Sequence, residues 1–239
     1  MSDKLRTICI SDAHACIDEL KELLKKVQYK KEEDRLIICG DAINRGPGSL
    51  ECIRLIRELG AEMIMGNHEN HFLRWYKGKQ DPYWLATRPH YAQFSDEDVT
   101  FINNLPLYIK IAPNFYAVHA GIKPGITVEQ QRREDLLYLR YTDDERNTIT
   151  LKQVFDGTAK TIPRFWTEFG PFGNNSLVYG HCVFMDGPRI DKFDNGTTCY
   201  GIDTGCVFGG ALSCIILHDD VAPEIVRVKA KKAYYKSKF

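Results

Sequence analysis

Three short apolar runs, each followed at once by a polar cluster, set the pattern of the N-terminal third. Arg6-Thr7-Ile8-Cys9-Ile10, Leu36-Ile37-Ile38-Cys39 and Glu62-Met63-Ile64-Met65 read as buried strands. Between them, Ile17, Leu20, Leu23, Leu24 and Val27 recur at helical spacing, with Lys and Glu in the gaps. Leu50, Ile53, Ile56 and Leu59 do the same, and Gly60 closes that helix. Strand, helix and strand, repeated once, predict two βαβ units with right-handed crossovers. The polar clusters then lie at the C-terminal ends of strands, where open α/β sheets bind ligands.

Further along, Glu69 to Tyr76 predicts a helix, and Ser95-x-x-Asp98 has the form of a capping box before a short one. Gly78 to His90 is aromatic and has no readable period. Leu107 to Ile111 and Phe115 to Val118 pair around Ala112-Pro113-Asn114 and deliver His119-Ala120-Gly121. Thr127 to Leu139 is polar, then helical, and Thr142 to Asn175 is irregular. Leu177 to Tyr179, Thr198 to Ile202, Ala211 to Leu217 and Glu224 to Val228 are short strands in succession, which suggests a mixed or antiparallel second sheet. From about Lys229 the tail is basic and reads as frayed.

Lysine plus arginine numbers 32 and aspartate plus glutamate 32, so no global field draws in nucleic acid or a membrane surface. No basic stripe with interleaved aromatics marks a nucleic-acid binder. No apolar run approaches a membrane span, and Met1-Ser2-Asp3-Lys4 lacks a signal-peptide core. The eight cysteines include no C-x-x-C pair, and several sit inside apolar runs. They read as small buried hydrophobes in a reducing cytoplasm, not as a disulfide framework or a zinc ribbon.

The polar clusters carry the chemistry. Asp12, His14, Asp41, Asn67, His119 and His181 offer carboxylate, amide and imidazole donors without a thiolate. Such a set suits manganese, iron, cobalt or zinc. Six donors are too many for one ion and about right for two, with Asp41 the natural bridge. A two-metal centre supplies a nucleophile at neutral pH and clamps both oxygens of a phosphoryl displacement. The guanidinium of Arg45 can hold phosphate oxygens, and Arg140 offers a second clamp. His68, beside Asn67, is placed to protonate a leaving group. His71, His90 and His218 read as surface or capping residues.

The order Asp12-x-His14, Gly40-Asp41-x-x-x-Arg45-Gly46, Gly66-Asn67-His68-Glu69, His119-Ala120-Gly121, Gly180-His181 resembles the calcineurin-like metallophosphoesterases. The branch is the one shared by phosphoprotein phosphatases and symmetrical diadenosine tetraphosphate hydrolases. The resemblance spans roughly residues 7 to 218. It implies an α/β (α+β) fold, a four-layer β-sandwich flanked by helices, in a single domain over 1–239. Asp12, His14 and Asp41 would hold one divalent or trivalent ion, manganese first among the candidates. Asp41, Asn67, His119 and His181 would hold the other. His68 would be the general acid, Arg45 and Arg140 the phosphate clamps, and Asp203 part of a late motif.

Two substrate classes stay open, a dinucleoside polyphosphate cut symmetrically and a phosphoprotein. Arg45-Gly46-Pro47-Gly48-Ser49-Leu50 and Thr204-Gly205-Cys206 look like the hydrolases, Leu137-Tyr138-Leu139-Arg140 like bacterial and phage phosphatases. An inactive metal-binding module is a third reading. Ala15 stands where the family has Gly, which costs roughly 1 kcal/mol or more if the backbone there has positive φ. Asn44 stands where phosphatases have an Asp paired with the catalytic histidine. The uncompensated His68 then holds its proton less tightly, which favours an anhydride substrate with a good leaving group. Oligomeric state is not legible.

Overall fold

Along the first strand, β1 (Arg6–Ile10), successive side chains enter two different cores. Ile8 and Ile10 pack under helices, whereas Cys9 points into the space between two sheets. That alternation, with both faces apolar, belongs to a strand buried on both sides. The computed structural model describes residues 6–78, 82–218 and 221–236. The Met1–Lys4 terminus, part of the Gly78–His90 stretch and the end of the basic tail lie outside the described residues.

The elements run α1 (Ile17–Lys26), β2 (Asp34–Ile38), α2 (Ser49–Glu58), β3 (Glu62–Met63), α3 (Asn67–Lys77), α4 (Pro82–Thr87), α5 (Asp96–Asn103), β4 (Tyr108–Ala112) and β5 (Phe115–Val118). Then come α6 (Arg133–Tyr138), β6 (Tyr141–Thr142), β7 (Thr148–Ile149), α7 (Leu151–Phe155), β8 (Arg164–Phe165) and β9 (Ser176–Tyr179). The chain closes with β10 (Arg189–Lys192), β11 (Thr198–Gly201), β12 (Ala211–Leu217) and β13 (Glu224–Lys229).

One sheet has the order β13-β12-β1-β2-β3 and the other β10-β11-β9-β5-β4. Their facing sides meet in a core that includes Cys9, Ile37, Ile64, Ala117, Val178, Ile202 and Ile215. Helices α1, α2, α3 and α5 cover the outside of the first sheet, and Leu136, Leu139, Phe165 and Trp166 cover the outside of the second. This is the expected sandwich flanked by helices. β1, β2 and β3 run parallel, as do β5, β9 and β11. Six strands therefore release their loops at one edge.

Several expectations change. β12 and β13 join the first sheet, β12 antiparallel to β1 and β13 antiparallel to β12, instead of extending the second. The predicted helix from Glu69 starts earlier, with Gly66 as N-cap, so Asn67 and His68 occupy its first turn. The irregular stretch holds a small third sheet, β7-β6-β8. The tail is not frayed through residue 236. Ala230 is buried, and the amides of Tyr234 and Tyr235 both donate to Val207 O.

Candidate active site

Each loop at the shared edge is fixed by backbone bonds before any side chain is aimed. His14 N donates to Asp41 O and Ala15 N to Ala42 O, both at 2.8 Å, locking the first loop onto the second. Asp12, His14, Ala15, Asp41, Asn44, Arg45 and His181 all have positive φ. Left-handed backbone in non-glycine residues costs about 1–3 kcal/mol each, and such strain clusters at functional sites. Ala15 has φ 61°, so its methyl carries that cost.

Glu69 organises the centre, a role the sequence did not expose. Its buried carboxylate accepts from the amides of Asp41, Ala42, Ile43 and Gly66. Burial, then the charge of Asp41, pushes it up to about 7.

Asp41 Oδ1 lies 3.5 Å from His119 Nε2, and Oδ2 lies 3.6 Å from His14 Nε2 and 4.0 Å from His68 Nε2. Asn67 Oδ1 is 3.1 Å from His119 Nε2. Asp12 Oδ1 stands 3.8 Å from His14 Nε2, and Asp12 Oδ2 accepts from the His181 amide. The rings of His119 and His181 are 5.0 Å apart. All six predicted donors are thus brought together, with Asp41 between the two groups.

The second layer sets tautomers. His14 Nδ1 lies 3.2 Å from Ile43 O, and His119 Nδ1 lies 2.9 Å from Cys39 O. Carbonyls only accept, so each ring donates from Nδ1 and keeps Nε2 as a lone-pair donor facing Asp41. Burial holds His14, His68 and His181 well below the usual imidazole range and His119 at about 4, so all are neutral near pH 7. Asp41 is pushed up to about 7, chiefly by burial. Asp12 is raised by burial and then by the charges of Asp203 and Asp41.

The donor set fits metal ions. His14, Asp41 and His68 have ligand atoms within 4.8 Å of one another, and so do Asp41, His119 and His181. Asp12 Oδ1 is buried without a hydrogen-bond partner. A Cβ on Gly66 would collide with Asp41 Oδ1, and one on Gly180 with Asp12 Oδ2, so glycine keeps the backbone close to both carboxylates. Crowded buried carboxylates beside neutral imidazoles are costly unless a cation compensates them.

Around the centre, Arg45 Nη1 lies 2.9 Å from His14 Nε2, and its guanidinium is flanked by Phe208 and Tyr235 at 5.3 and 5.8 Å. His71 and His90, read as peripheral, belong here. His71 packs 6.0 Å from the His68 ring, and His90 Nε2 donates to Asn44 Oδ1 at 2.8 Å. No periodicity could have marked either. A cavity of about 750 Å³ opens beside His68, bordered by Arg45, His71, Trp84, Arg88 and Tyr235. A second, of about 350 Å³, includes Arg140, Tyr141, Phe165, Cys182 and Arg189. Arg140 therefore stands on the His181 side of the centre, away from Arg45.

Residues 5–193 match the calcineurin-like phosphoesterase family. The chain belongs to that family. A symmetrical bis(5'-nucleosyl)-tetraphosphatase of Psychromonas ingrahamii is 29% identical, over 90% of this chain and 94% of the relative. An asymmetrical bis(5'-nucleosyl)-tetraphosphatase, PrpE of Oceanobacillus iheyensis, is 30% identical, over 96% of this chain and 94% of the relative. The crystal structure of a candidate diadenosine tetraphosphatase superimposes with a TM-score of 0.77 at 26% identity, covering 96% of this chain and 95% of the other. This phosphoesterase fold is the one the motif order implied. Among the described residues no helix is long and apolar enough to cross a membrane.

Proposed function

We propose that this phosphoesterase hydrolyses dinucleoside tetraphosphates symmetrically, releasing two nucleoside diphosphates, in the cytoplasm and with manganese. One observation carries the reading. Cavities of about 750 and 350 Å³ flank the centre, each with arginine and aromatic side chains. Both fall in the size range of about 300–1,000 Å³ that ligand pockets occupy. A substrate extending on both sides of the attacked phosphorus suits this better than a small phosphomonoester.

Asp12, His14, Asp41, Asn67, His119 and His181 would hold the metal ions, which supply a nucleophile at neutral pH and neutralise phosphoryl charge. Arg45, kept in place by the rings of Phe208 and Tyr235, binds non-bridging oxygens on one side, and Arg140 binds them on the other. His68 faces the leaving-group side as a neutral ring that donates a hydrogen bond to the departing oxygen; a nucleoside diphosphate, already a good leaving group, departs without needing a full proton transfer. The Nδ1 of His68 faces the amide nitrogen of Asn44, so its own hydrogen sits on Nε2, toward Asp41. Eight free, buried cysteines accord with a reducing compartment.

Product analysis with diadenosine tetraphosphate and a phosphopeptide, each with added manganese, tests this. ADP as the sole nucleotide product supports it. ATP plus AMP would make the cleavage asymmetrical, and phosphate from the peptide alone would make the protein a phosphatase.

A further inference from the structure

A second group of donor atoms lies outside this centre and plays no part in the chemistry above. Cys16, Glu19 and Cys206 place two thiols and a carboxylate oxygen within 4.8 Å of one another. All three are sealed from solvent, at 0, 0 and 1% exposure. They come from three separate places, the end of the His14 loop, the first turn of α1 and the turn after Asp203.

Packing alone does not account for Glu19. Its Oε1 accepts from the Lys231 amide at 2.9 Å and the Tyr234 hydroxyl at 2.8 Å. Its Oε2 is buried with no donor. A native buried polar atom without a partner calls for an explanation, and a bound ion is one of the few. Two sulfurs and one oxygen are soft and borderline donors, a set that selects zinc-class cations. Zinc accepts three protein ligands with a fourth position left open. The nitrogen and oxygen donors of the phosphoesterase centre include no thiolate and also accept manganese and iron.

We propose that Cys16, Glu19 and Cys206 form a separate binding site for a zinc-class divalent cation. The cation sits where three segments converge on Arg45. Phe208, two residues after Cys206, packs on that guanidinium, and the tail that Glu19 holds brings Tyr235 against both. The cation would tie these segments to the Arg45 wall without touching substrate.

Cobalt(II) titration of the metal-stripped protein separates the two sites, because only this one contains thiolates. Thiolate-to-cobalt charge-transfer absorption should develop in the near ultraviolet. It should vanish in Cys16→Ser and Cys206→Ser, and those variants should carry one zinc fewer per chain by elemental analysis. Absence of that absorption, with zinc content equal in wild type and Cys206→Ser, would overturn the proposal. Cadmium NMR of the unmutated protein decides the matter if the variants fail to fold. A sulfur-ligated resonance distinct from the nitrogen/oxygen-ligated ones supports the site, and its absence from fully loaded protein refutes it. None of these readouts depends on which phosphate ester is cleaved.

Discussion

Asn44 turns its amide nitrogen to His68 Nδ1, 3.0 Å away, while its carbonyl oxygen accepts from His90. An acidic partner would instead accept a proton from Nδ1 and hold His68 as imidazolium. Here burial, then the charges of His14 and Arg45, keep His68 well below the usual range. Asn44→Asp should raise the His68 pKa by about 1–3 units. The alkaline limb of the pH–rate profile on p-nitrophenyl phosphate then moves upward. A profile that stays in place would mean that this proton does not limit the rate.

Ala15 has φ 61° with its Cβ fully buried. Glycine adopts that backbone without penalty. Ala15→Gly should therefore stabilise the protein by about 0.5–1 kcal/mol, net of greater freedom in the unfolded chain. Urea unfolding checks this through a higher midpoint at unchanged slope. A lower midpoint would show that the methyl contributes more by packing than it costs in strain.

Metal affinity should depend on pH in a definite direction. Before metal binds, Asp41 titrates at about 7, raised chiefly by burial, and Asp12 is raised in the same sense. Below that pH a proton must leave as the ion enters, so affinity rises by about tenfold per pH unit and flattens above 7. The histidines, with lowered values, are already neutral there and add no slope. Manganese calorimetry on either side of pH 7, in buffers of different ionisation enthalpy, measures the protons released. Equal affinity at both pH values would contradict the shift.

Arg88 lies over the Trp84 ring at 4.7 Å on the wall of the larger cavity. A charged hydrogen bond to a polyphosphate is worth about 1.5–3 kcal/mol. Arg88→Ala should raise KM for diadenosine tetraphosphate about ten- to one-hundred-fold. Turnover of p-nitrophenyl phosphate, too small to reach that wall, should be unchanged. Equal losses on both substrates would assign Arg88 to folding and not to nucleotide binding.

The βαβ units and the six donors were legible because period and order are local signals. Ile8 and Ile10 alternate with Cys9 within one strand, and each polar cluster directly follows its strand. What was not legible depends on residues far apart in sequence. Glu69 was visible beside His68, yet the amides it gathers from Asp41 to Ile43 arrive from an earlier loop. Strand β10 has a polar pattern, with Ile190 46% exposed, and so leaves no hydrophobic trace. Charge misled in the tail, where the lysines suggested solvation but Ala230, Tyr234 and Tyr235 make the contacts.

β1, which carries Asp12 and His14 at its end, has β12 as one neighbour and β2 as the other. The first metal-bearing loop is thus made near the start of synthesis, but its strand gains a second partner only when residues 211–217 have emerged. Tyr235, which closes over Arg45, follows later still. Contacts this distant in sequence form late and slowly. The loop carrying Asp12 and His14 precedes by more than a hundred residues His119 and His181, the donors from the second sheet that complete the cluster around Asp41. A fragment that stops short of residue 211 leaves one edge of β1 unpaired and Arg45 without Tyr235.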